Sequence, residues 1–90
     1  GNAELYLRLV EHAAVFMGQW SRSYDEAAAA GAAERQLRLA HDLKGIAATL
    51  GAERLSQAGA RLEAALRAAP AGGHEALRHA VESELAPLLR

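Results

Sequence analysis

The sequence predicts an all-α fold: an antiparallel up-down four-helix bundle with a bent or additional short helix at its N-terminal end. Three observations predict it. Of 90 residues, 23 are alanine and 14 are leucine, both strong helix formers. Only five are β-branched (Val10, Val15, Ile46, Thr49 and Val81), whereas sheets draw heavily on such residues. Between the breakers Gly18, Gly31, Gly51 and Pro70-Ala71-Gly72-Gly73, apolar residues recur at three- and four-residue steps, the period of a helix.

The first segment carries Leu5, Leu9, His12, Ala13, Phe16 and Trp20 at helical spacing, and Tyr24 and the alanines up to Ala30 continue it. It reads as one long helix kinked at Gly18 or as two shorter ones. The second, residues 32–50, places Leu39, Leu43, Ile46 and Leu50 on one stripe. The third, residues 52–69, carries Leu55, Ala58, Leu62, Ala65 and Leu66. The fourth, residues 74–89, carries Leu77, Val81, Leu85 and Leu88, and Pro87 can only terminate or kink it. Each stripe is one-sided and needs neighbours. Short connections make consecutive helices antiparallel.

Length and composition bound the function. Residues 1–90 form a single small domain, large enough for one core and too small for a large internal cavity. A net charge of -1 excludes the strongly basic surface of a nucleic-acid binder. The absence of cysteine excludes disulfides, thiolate metal sites and cysteine catalysis, and suits a reducing, cytoplasmic setting. No uncharged apolar run of 18 residues occurs, so no membrane span is expected. No cationic start leads into an apolar stretch, so no signal peptide is expected.

One stretch departs from a plain bundle: Ala40-His41-Asp42-Leu43-Lys44-Gly45-Ile46. Gly45 sits mid-helix, where glycine costs about 1 kcal/mol relative to alanine. Departures of this kind often mark functional sites. With Leu39, Leu43, Ile46 and Leu50 turned to the core, His41 points away from them. At about 100° per residue, Gly45 lies about 40° from His41, Lys44 about 60° to the other side, and Ala48 nearly in line two turns on. One surface therefore carries an imidazole, an ammonium and two side chains trimmed to almost nothing. Lys44 is the only lysine among ten cations.

This set suits phosphoryl transfer. A neutral imidazole Nε2 is a good nucleophile toward an acyl phosphate, and the step needs in-line approach and neutralised equatorial oxygens. Lys44 can supply the charge, while Gly45 and Ala48 remove bulk before a docking partner. No acidic cluster for Mg²⁺ adjoins His41, so a metal would come with the partner.

His41-Asp42-Leu43-Lys44-Gly45, followed by Gly51-Ala52, Leu55 and Leu62-Glu63, resembles the histidine-containing phosphotransfer (HPt) domain. Leu39-Ala40 and Gly31 also resemble the family. The opening Leu5-Tyr6-Leu7-Arg8-Leu9 is similar to the first helix of such domains in bacterial hybrid sensor kinases. The resemblance implies a helical bundle that accepts phosphate from a receiver-domain aspartyl phosphate and passes it to another receiver, without autokinase activity, nucleotide or bound cofactor. His41 would be the phosphoacceptor, Lys44 would steady the phosphate, and Gly45 would leave room for the receiver. Glu63 would orient the His41 ring through Nδ1 or a water. Mg²⁺ would belong to the receiver. The alternative reading is a helical docking or dimerisation domain that binds a receiver or another protein without phosphotransfer.

The remaining candidates read more plainly. Gly59, also inside a helix, is read as a close-packing position. Arg35, Arg38, Arg54, Arg61 and Arg67 are read mostly as solvated faces balanced by Glu34, Glu53 and Glu63. Arg38, one turn before His41, is the one singled out for receiver docking. His12 is read as a packed or boundary residue. His74 and His79 are five apart, off the three- or four-residue spacing of one helix face, and no zinc site is expected from them. Phe16, Trp20 and Tyr24 are read as core.

Overall fold

The computed structural model describes residues 1–90. It contains four helices and no strand: α1 (Asn2–Ala29), α2 (Ala33–Thr49), α3 (Glu53–Ala68) and α4 (Glu75–Leu85), followed by a 3₁₀ turn over Ala86–Leu89. No helix is long and apolar enough to cross a membrane.

The turns follow from the glycines. Gly31 and Gly51 adopt positive φ, 67° and 77°, a conformation that costs any residue with a Cβ. At the first, the Gly31 amide donates to Ala28 O (3.1 Å) and the Ala32 amide to Ala27 O (2.9 Å). At the second, Gly51 donates to Ala48 O (3.1 Å) and Ala52 to Ala47 O (2.8 Å). Both are Schellman closures, which satisfy the last carbonyls and reverse the chain. The same device thus makes both tight turns. The Pro70–Gly73 stretch forms the one longer loop, and His74 Nε2 donates back to Ala69 O at 2.8 Å. At Pro87 the chain tightens from α to 3₁₀ geometry, because proline has no amide to donate.

The first segment is one continuous helix, with Gly18 inside it. Its buried residues are Ala13, Met17, Trp20, Tyr24 and Ala27. They join Ala40, Leu43 and Ala47 of α2, Leu55, Ala58, Leu62 and Leu66 of α3, and Val81 and Leu85 of α4. Each large side chain fully buried here contributes about 1.5–3 kcal/mol. Trp20 Nε1 donates to Leu39 O at 2.8 Å, and its ring stacks on Tyr24 with centroids 5.0 Å apart. Arg78 lies over both rings and pairs with Asp25 and Glu82. Ser21 donates to Glu82 at 2.6 Å, tying α1 to α4.

Three stripes differ from the sequence expectation. On α2 the buried residues are Ala40, Leu43 and Ala47, while Leu39 and Ile46 flank the core and Leu50 is exposed. Two alanines face inward because α2 packs between α1 and α3, and small side chains let both approach. On α1, Leu5 and Leu9 are 68% and 48% exposed rather than buried. A 28-residue helix is about 42 Å long, close to the molecule's 44 Å longest dimension, whereas the 17 residues of α2 span about 26 Å. The first turns of α1 therefore run past the end of their neighbours. Leu88 is exposed because the 3₁₀ turn breaks the 3.6-residue stripe.

Candidate functional site

The site begins with a close approach of two helices. A Cβ placed on Gly59 of α3 would lie 3.3 Å from Lys44 N, 3.4 Å from Lys44 Cα and 3.5 Å from Ala40 O. The missing side chain lets α3 lie against the α2 backbone. Ser56 Oγ donates to Lys44 O at 3.0 Å on the same contact. One turn beyond Gly59, Glu63 reaches α2 at the level of His41. Gly59 is thus a packing glycine, as expected.

Glu63, the residue expected to orient the His41 ring, is only 5% exposed, so it is not one of the solvated charges that balance the arginines. It is buried because α3 is drawn so close to α2. Its carboxylate gathers three donors. His41 Nδ1 lies 2.7 Å from Oε2, Lys44 Nζ 2.6 Å from Oε1, and Arg67 Nη2 3.0 Å from Oε2. The Lys44 hydrogen bond, reinforced by those of His41 and Arg67, holds the Glu63 carboxyl down to about 2 from an ordinary 4.5, although burial pushes the other way.

An ionised carboxylate can only accept hydrogen bonds. The neutral His41 ring therefore carries its proton on Nδ1 and its lone pair on Nε2, at the ring edge away from Glu63. The side chain is 57% exposed, so the lone pair is accessible. Lys44 is held at the same carboxylate through its own bond to Oε1. Lys44 and Arg67 share this single carboxylate, one on each oxygen.

Gly45 is exposed, and a Cβ there would have nothing within 4 Å. No packing requirement accounts for this helix-interior glycine. It borders a groove of about 300 Å³ between α1 and α2, lined among others by Leu9, Phe16, Ile46 and Leu50. Ala48 is exposed on the same helix. Arg38 is exposed and makes no ion pair, so the structure does not bring it into the cluster. His12 is exposed on the groove's rim rather than packed.

Arg67 is the member of the cluster that the sequence reading did not single out. The available signal was its place four residues after Glu63, where side chains on one helix face meet. It was read with the other arginines as a solvated charge.

A family model described as Hpt domain matches residues 4–90. No curated protein and no solved structure matches the chain.

Proposed function

Because this chain belongs to the Hpt domain family, the phosphotransfer modules of two-component signalling, we propose that it is a phosphorelay intermediate that receives a phosphoryl group on His41 and passes it on. Such domains interact with response-regulator receivers and are not autokinases. The observation that carries the reading is the half-exposed His41 ring, bonded through Nδ1 to a buried carboxylate at 2.7 Å.

The proposed step runs as follows. The Nε2 lone pair attacks the phosphorus of a receiver's aspartyl phosphate. The bond from phosphorus to the acyl oxygen breaks, and its electron pair returns to the aspartate carboxylate. The ring becomes an Nε2-phosphorylated imidazolium that keeps its Nδ1 proton, and Glu63 stabilises that positive charge. Lys44 offsets charge on the phosphoryl oxygens. Mg²⁺ comes with the receiver. Transfer to a second receiver is the reverse of this step. The receiver docks over Gly45 and Ala48, with Arg38 on the edge of that surface.

The test uses a receiver charged with acetyl phosphate and Mg²⁺. The wild-type chain is expected to acquire an acid-labile phosphoryl group. His41→Ala is expected to keep its helical content and acquire none. Equal labelling of that variant would remove His41 from the reaction. A wild type that binds receiver without becoming labelled would leave docking as its role.

A further inference from the structure

We propose that Arg67 is a positioning residue that keeps Glu63 neutralised so that Lys44 can leave it for the phosphoryl group. This rests on the phosphorelay reading above and adds a charge handover within the cluster. In the structure Lys44 Nζ is not free: it lies 2.6 Å from Glu63 Oε1. Nε2 lies on the ring edge away from Glu63, so to neutralise a phosphoryl group there Lys44 must swing toward it and loosen that contact. Glu63 is 5% exposed, and a buried carboxylate stripped of its counter-charge is costly. Arg67 removes that obstacle. It bonds the other carboxylate oxygen, Oε2, at 3.0 Å, so it stays in place while Oε1 loses its ammonium.

The division of labour follows the chemistry of the two cations. Lys44 is a point charge on a flexible stem, able to swing between two anions. Arg67 lies four residues from Glu63 on the same helix, where the pair is held by the local backbone. His41 Nδ1 shares Oε2 with Arg67, so the ring keeps its orientation through the exchange. Arg67 never needs to touch the phosphoryl group.

The test separates an action through Lys44 from direct phosphate contact. The intact chain is labelled with phosphoramidate, which transfers its phosphoryl group to Nε2 with loss of ammonia. Phosphohistidine formation is followed by ³¹P NMR. Arg67→Gln is expected to slow labelling about three- to fivefold, the scale of an ion pair exposed at one end. Arg67→Lys restores most of the rate. In a Lys44→Gln background, Arg67→Gln is expected to change nothing further, because the cation it releases is gone. A wild-type rate in Arg67→Gln overturns the proposal. So does an undiminished effect of Arg67→Gln in the Lys44→Gln background, which would mean direct contact with phosphate. Failure of the wild type to label from either phosphoramidate or a charged receiver would instead overturn the phosphorelay reading itself.

Discussion

At the scale of single residues, Glu63 is where fold and chemistry meet. It holds His41, Lys44 and Arg67 together, and its folded carboxyl titrates near 2, below an ordinary value of 4.5. A depressed folded pKa stabilises the protein above the unfolded value, and that contribution disappears as pH falls through the folded one. Unfolding free energy is therefore expected to drop between about pH 4.5 and pH 2. Glu63 contributes on the order of 2 kcal/mol to that drop, after allowing for the water around its three donors. Urea titrations across this range check it: Glu63→Gln should be less stable at neutral pH and show a shallower acid slope. A slope equal to wild type would mean that the clamp does not hold in solution. The sequence carried Glu63 only through family resemblance. Its burial depends on how closely two helices approach, and no local pattern of residues encodes that distance.

At the scale of elements, two helix-interior glycines have opposite roles. A side chain at Gly59 would press on the Lys44 backbone, while one at Gly45 would meet nothing in this chain. Gly59→Leu must push α2 and α3 apart, and overpacking of this kind costs about 1–3 kcal/mol. Gly45→Leu should fold with unchanged or slightly higher stability, since leucine is the better helix former, yet block transfer by standing in the receiver's path. Thermal unfolding and phosphotransfer rates measured on both variants check the contrast. Normal transfer by Gly45→Leu would show that its bare surface plays no part in access. The distinction was legible in advance because Gly45 shares a face with His41, whereas Gly59 lies among packing residues. The inward face of α2 was less legible. Leucine marks a stripe more strongly than alanine, so Leu39 and Leu50 outweighed Ala40 and Ala47, although the alanines are the buried residues. The limits of α2 and the start of α3 came within a residue because Gly31 and Gly51 are the points of positive φ, whereas α4 ends four residues before the expected limit, at the turn to 3₁₀ geometry.

At the scale of the whole molecule, the bundle is elongated, 44 × 23 × 23 Å, because α1 outruns its neighbours. Leu5, Tyr6 and Leu7 are each more than half exposed. Leu5 and Leu9 extend the helical pattern of the buried part, and a stripe in sequence looks the same whether or not another helix covers it. Removing residues 1–8 should change unfolding free energy by no more than about 0.5 kcal/mol, as for other surface changes. It should also leave phosphorylation of His41 unchanged. A loss of several kcal/mol in chemical denaturation would show that these turns pack against the bundle.

The backbone contact at Gly59 has a consequence for motion. Where two helices touch without an intervening layer of side chains, there is no soft material to yield, and neither can slide along the other without colliding. Amide protons on either side of that contact are therefore expected to exchange slowly with solvent, until the helices part together. The His41 ring and the Glu63 carboxylate thus flank this contact, and the amides of α2 and α3 around it are expected to be among the slowest in the protein to exchange.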